Sequence, residues 1–149
     1  MLDRRTFALG SAAALAGAGL ASMARAQDAA QPWEQALKKI LGDAKPTEGK
    51  VTIEMPEIAE NGNTVPFSIS VDSPMTEASS VRAIHLIATA NPQPGVATFR
   101  FSLLSGRAAV TSRMRLARTQ DVLAVAELSD GRFLMGKRSV KVTIGGCGG

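Results

Sequence analysis

The sequence predicts an all-β domain: an immunoglobulin-like antiparallel β-sandwich of about seven strands, with a short N-terminal helix and a flexible Gly-rich C-terminal arm. Three observations carry that reading. Apolar and polar residues alternate with a period of two in several segments from Lys50 onward. Turn-forming residues separate those segments about every ten positions. No helical pattern alternates with the strands, which argues against a parallel sheet.

The N-terminus lies outside that domain. Asp3-Arg4-Arg5-Thr6-Phe7 precedes an Ala/Gly/Leu-rich run, and Ala24-Arg25-Ala26 has the small-residue form of a cleavage site. Arg4 and Arg5 followed by Phe7 match the twin-arginine export pattern. Residues 1–26 are therefore expected to be a signal peptide cut after Ala26, delivering the protein to the periplasm. Asp3 in place of a hydroxyl residue, and Ala8-Leu9 in place of Leu-Lys, leave a Sec-type route open. The run is broken by Gly10, Ser11, Gly17 and Gly19 and is short for a span, so no membrane attachment is expected after signal removal.

Losing residues 1–26 removes Arg4, Arg5 and Arg25 from 17 Lys+Arg and Asp3 from 13 Asp+Glu. That leaves 14 against 12, net +2, so the mature chain is only weakly basic. No Lys/Arg block or aromatic-basic interleaving points to nucleic acid.

Residues 27–144 are expected to form one helix and the sandwich. Over Asp28–Leu41, Trp33, Ala36, Leu37, Ile40 and Leu41 recur on one helical face. Pro32 suits the first turn, Glu34 and Lys38-Lys39 suit the helix dipole, and Gly42 can close it. Trp33 is read as a packing residue. The expected strands are Val51–Glu54, Thr64–Val71, Val81–Ala90, Ala97–Leu104, Ala108–Arg115, Asp121–Leu128 and Ser139–Ile144. Asn61-Gly62-Asn63, Ser73-Pro74, Asn91 to Gly95, Ser105-Gly106 and Asp130-Gly131 mark the turns.

Catalytic chemistry is sparse. One histidine, His85, and one cysteine, Cys147, provide no zinc set and no cluster for copper or haem, so neither a metal nor a cofactor is expected. If Ile84 and Leu86 face the core, His85 faces the other side of its strand. Glu54, Glu57 and Glu60 read as a solvated acidic rim, and no Gly-rich phosphate loop opens a helix. Arg113 and Arg115 share one strand face, with Arg118 following. That face is either simply solvated or a docking surface for acidic partners or for oxyanions handled at the tail. The chain is read as a non-enzyme.

What stands out is Gly145-Gly146-Cys147-Gly148-Gly149, residues 145–149, with the sole cysteine between two Gly-Gly pairs. Glycine imposes little conformational preference, and nothing adjacent offers a core for the thiol. This has the geometry of a carrier arm: a small nucleophile on a thin stem. As exposed tail positions, Gly146 and Gly148 are expected to tolerate substitution within about ±0.5 kcal/mol of stability. An interchain disulfide in an exported interaction protein is the alternative reading. A ubiquitin-like carrier ending in Gly-Gly is a weaker one, because such carriers are cytoplasmic.

The leader, the amphipathic helix, Pro56-Glu57-Ile58-Ala59-Glu60-Asn61-Gly62 with Val65-Pro66 after it, and the terminal pentapeptide together resemble the SoxY family. Its members are sulfur carriers of the periplasmic Sox system that oxidises thiosulfate. The resemblance implies an immunoglobulin-like sandwich, covalent attachment of the sulfur substrate to Cys147, and a carrier arm of Gly145, Gly146, Gly148 and Gly149. It also implies a heterodimer with a SoxZ subunit and transient visits to SoxXA, SoxB and, where present, SoxCD.

Overall fold

The computed structural model describes residues 30–147. The chain divides into two units, Met1–Ala30 and Gln31–Gly149. The export residues Arg4, Arg5 and Phe7, the cleavage position Ala26, and Gly148 and Gly149 lie outside the described residues.

Helix α1 runs from Pro32 to Leu41, four residues later in its start than the sequence suggested. Proline opens it because its missing N–H costs nothing in the first turn. The Gln31 N–H donates to the Glu34 carboxylate at 2.8 Å, and the Gly42 N–H closes the end on the Lys38 carbonyl at 2.8 Å. Trp33, Ala36, Leu37, Ile40 and Leu41 are half-buried while Lys38 and Lys39 are exposed, as the apolar stripe requires. The helix packs against the strand that carries His85.

Nine strands follow among the described residues: β1 (Thr47–Glu48), β2 (Val51–Glu54), β3 (Ile58–Asn61), β4 (Val65–Val71), β5 (Val81–Ala88), β6 (Gly95–Arg100), β7 (Ala108–Met114), β8 (Gln120–Leu128) and β9 (Phe133–Ile144). The larger sheet has the order β1-β9-β8-β5-β6, with β3 also on β9; the smaller has the order β2-β4-β7. The seven expected strands are all present, and the long pairings are antiparallel. Beyond that expectation, β1 and β3 are short strands that pair in parallel with successive stretches of β9. Strand β9 also begins at Phe133, six residues before the expected start at Ser139.

Between β1 and β3 the chain leaves the larger sheet to place β2 on β4. The crossing is close: a Cβ at Gly136 of β9 would lie 2.8 Å from the Val51 carbonyl oxygen and 3.1 Å from the Val51 Cβ. Only glycine lets the two backbones approach so nearly. The expected strand to Leu104 stops at Arg100 instead. There the chain turns into a 3-10 segment, Leu103–Ser105, closed by Gly106 at φ +71°.

The inward faces follow the period-two pattern. Val65, Phe67, Ile69 and Val71 alternate with exposed or half-buried residues along β4. They meet Ile84, Leu86, Val122, Ala124 and Val140 from the other sheet in one core. Phe67 and Phe99 pack tilted, with ring centroids 6.2 Å apart. Each fully buried Val, Ile or Leu contributes about 1.5–3 kcal/mol. Ile87, Leu123 and Val125 are buried too, but on the opposite face of the larger sheet, the face covered by α1.

Candidate functional site

Three segments meet at one end of the sandwich. The Asn61–Asn63 turn leaves β3, the residues Arg115–Arg118 leave β7, and the C-terminal residues leave β9. Their hydrogen bonds are mostly backbone to backbone. The Gly62 N–H donates to the Ile144 carbonyl at 2.7 Å, and the Leu116 N–H to the Gly62 carbonyl at 2.8 Å. The Gly146 N–H donates to the Leu116 carbonyl at 2.9 Å. Gly62 therefore joins β9 on one side and the Leu116 segment on the other.

No side chain fits between them. A Cβ at Gly62 would stand 2.3 Å from the Leu116 carbonyl oxygen and 2.6 Å from the Gly146 nitrogen. One at Gly146 would stand 2.5 Å from the Gly62 oxygen, and one at Gly145 would stand 2.2 Å from the Ala117 oxygen. Gly62 and Gly146 are both buried. The first two glycines of the pentapeptide are thus seated in the domain, and the expectation that Gly146 behaves as an exposed tail position is corrected here. The physical reason is the backbone approach, which glycine permits at the same positions where it would also permit freedom.

The seat ends at the cysteine. The Cys147 N–H donates to Asn63 Oδ1 at 3.0 Å, and the Asn63 N–H donates to Asn61 Oδ1 at 3.0 Å. The thiol itself is free and exposed.

Behind the seat lies a buried amide pair. Asn91 Nδ2 donates to the Arg115 carbonyl at 2.9 Å, and Asn91 Oδ1 accepts the Ala117 N–H at 2.9 Å. Gln120 Nε2 donates to Asn91 Oδ1 at 2.8 Å and to the Arg118 carbonyl at 3.0 Å. Gln120 Oε1 accepts the Ala90 N–H at 2.8 Å. Both side chains are more than nine-tenths buried. Buried amides hold a segment firmly only when their donors and acceptors are matched, as here.

The other sequence candidates are elsewhere or at the margin. His85 lies on the outer face of β5, opposite Ile84 and Leu86 as the alternation required. Its Nδ1 is 3.0 Å from Thr98 Oγ1, and its Nε2 is 3.7 Å from Glu127 Oε2. It is not among the segments that touch the tail. Arg113, Arg115 and Arg118 are exposed, while Met114 and Leu116 between them are buried. The acidic stretch is partly used in structure: Glu57 lies 3.6 Å from Arg138 of β9, and its carbonyl accepts the Lys141 N–H at 2.8 Å. Asn63 and Asn91 carried only a turn signal in the sequence, at Asn61-Gly62-Asn63 and at Asn91 to Gly95, and Gln120 carried none. Among the described residues there is no group of three or more His, Cys, Asp or Glu placed to hold a metal, and no helix long and apolar enough to cross a membrane.

The fold and this end of it define a small β-sandwich that displays a single free thiol from a seated glycine stem. The description "Sulfur oxidation protein SoxY" belongs to the family model that matches residues 37–147. Among solved structures, the sulfur carrier protein SoxY from Chlorobium limicola f thiosulfatophilum is 30% identical, with a TM-score of 0.64 over 78% of this chain and 100% of that one. The chain belongs to the SoxY family and is a sulfur carrier of sulfur oxidation. The superoxide reductase (neelaredoxin) from Ignicoccus hospitalis, 20% identical, has a TM-score of 0.56 over 63% of this chain and 80% of that one. A putative superoxide reductase from Thermotoga maritima, 18% identical, has a TM-score of 0.54 over 66% and 87%. These two likenesses show the fold alone. No curated protein matches the chain.

Proposed function

We propose that Cys147 is the covalent attachment point of the cargo, and that the chain shuttles thiosulfate-derived sulfur between Sox enzymes without catalysing a step itself. The observation that carries this is the exposed thiol at the end of the seated stem in a SoxY-family chain. Loading joins the Cys147 sulfur to the outer sulfur of thiosulfate, giving Cys-S-S-SO3⁻ and releasing one proton and two electrons. The electrons pass to the haem protein SoxXA. Hydrolysis by SoxB cleaves the bond to the sulfonate with water, releasing sulfate and leaving a persulfide. SoxCD, where present, oxidises that remaining sulfane sulfur. Covalent retention keeps reactive sulfur out of solution and gives it a high effective concentration at each docked enzyme.

The rest of the reading follows the same proposal. Residues 1–26 are a twin-arginine signal, 27–144 the domain and 145–149 the carrier segment, and the mature protein works in the periplasm. A SoxZ-like subunit is its heterodimer partner. Intact mass of protein purified from the periplasm tests the carrier. Sulfur-containing adducts on the native chain, absent from Cys147→Ser, are the expected result. A disulfide-linked dimer as the sole modified form would overturn it in favour of the interchain-disulfide reading.

A further inference from the structure

Resting on the carrier reading of Cys147, we infer that Asn63, Arg115 and Arg118 form the part of the carrier site that receives the anionic, sulfonate-bearing end of the sulfur cargo. The argument begins at Asn63. A backbone N–H can be accepted only by the carbonyl oxygen of a carboxamide, so the Cys147 bond fixes which way the Asn63 amide faces. Its Nδ2, on the same carbon as that oxygen, keeps both N–H donors, and among the described residues it has no protein acceptor. A double donor with no protein acceptor among the described residues thus adjoins the residue that carries the thiol, on a side chain open to solvent.

Charge points the same way. Leu116 and Ala117 hold Gly146 and crowd Gly145, and the residues on either side of them are Arg115 and Arg118. Leu116 is fully buried, so the exposed Arg115 departs toward solvent. Neither arginine has a carboxylate partner among the described residues, whereas Arg132 and Arg138 each do. The three segments of the seat, residues 61–64, 115–119 and 144–147, contain these two arginines and no Asp or Glu side chain. A guanidinium with no carboxylate to satisfy it is well suited to a sulfonate, whose oxygens accept charge-assisted hydrogen bonds. The cargo class that follows is an anion on sulfur, favoured over a neutral adduct of similar size.

The test compares two reagents on the free thiol of the reduced, purified chain. Tetrathionate is a dianion. The Cys147 thiolate attacks one sulfur of its central S–S bond, that bond breaks with its electron pair on departing thiosulfate, and Cys-S-S-SO3⁻ remains. 4,4′-Dithiodipyridine is neutral and reacts by the same kind of exchange. The ratio of their second-order rate constants cancels any change in thiolate fraction, which affects both alike. Arg115→Gln/Arg118→Gln should lower the ratio at least about fivefold at low salt and flatten its dependence on ionic strength. Asn63→Leu should lower it about threefold, and Asn63→Asp should lower it further while keeping an acceptor for the Cys147 N–H. Asn63 is exposed and has no positive φ, so these variants should fold. A ratio within about twofold of the unmutated chain, in either the double-arginine variant or Asn63→Leu, overturns the proposal. Adduct analysis of cell-derived protein tests the carrier reading separately, since the reagent ratio needs no Sox enzyme.

Discussion

Gly62 and Gly146 pack backbone on backbone, so closely that a Cβ at Gly146 would reach within 2.5 Å of the Gly62 carbonyl oxygen. They belong to the two segments that most clearly mark the family resemblance, Pro56–Gly62 and the terminal pentapeptide. Those segments are therefore two halves of one structure. The stem of the thiol is positioned by the domain, and the described part of the arm is held as far as the Cys147 amide.

Gly62→Ala should cost more stability than Gly146→Ala. At Gly62 the methyl group meets both the Leu116 oxygen at 2.3 Å and the Gly146 nitrogen at 2.6 Å. It therefore unseats the tail as well and adds overpacking inside the domain, at about 1–3 kcal/mol, on top of that loss. At Gly146 the chain has an escape, because the tail can leave its seat. That forfeits two hydrogen bonds at about 0.5–1.5 kcal/mol each. Urea denaturation of both variants measures the order. Equal stabilities for all three chains would show that the seat contributes nothing.

Cys147→Ser should leave the unfolding free energy unchanged within about ±0.5 kcal/mol, because Cys147 is exposed. The same variant should lose all thiosulfate-dependent electron transfer in a reconstituted system. Residual turnover at the native rate would remove Cys147 from the mechanism.

Replacing the buried Asn91 by Ala strands the Arg115 carbonyl, the Ala117 N–H and one Gln120 donor. The expected cost is about 1–3 kcal/mol or more for each group left without a partner. Hydrogen exchange at the Gly146 amide should accelerate in this variant beyond what the global loss explains. Unchanged exchange there would mean that the amide pair supports the fold but not the seat.

Gly148→Val tests access to the sulfur. Added width and β-branched stiffness next to Cys147 should slow turnover with SoxXA or SoxB. Alkylation by a small reagent should change little. Native turnover by the valine variant would show that the partner enzymes place no limit on width at this position.

Much of this was legible in the sequence, for local reasons. Val65 to Val71 shows one face in and one face out, whereas Val122 to Ala126, an unbroken apolar run, is buried on both faces of its sheet; both strands stand where the sequence put them. Strand β3 was not legible, because a four-residue parallel strand owes its existence to β9, more than eighty residues away. The first half of β9 was hidden by Gly136, Lys137 and Arg138, which break the alternation; Gly136 is there for the approach of Val51. At the tail, glycines read as freedom were needed for close approach. A single sequence does not separate those two uses, since both ask only for the missing Cβ.

Strand β9 comes last in chain order yet sits inside its sheet, with β8 on one side and β1 and β3 on the other. Strands β1 and β3 are thus made early and have no hydrogen-bonding neighbour until residues 133–144 arrive. Until then the edge of β8, whose Val122–Ala126 run is almost wholly buried in the finished domain, is open to any other strand. A chain cut short before Phe133 is for this reason an aggregation hazard instead of a smaller domain. Synthesis and folding are consequently uncoupled in time, with the sandwich closing only once its final strand is free to pair.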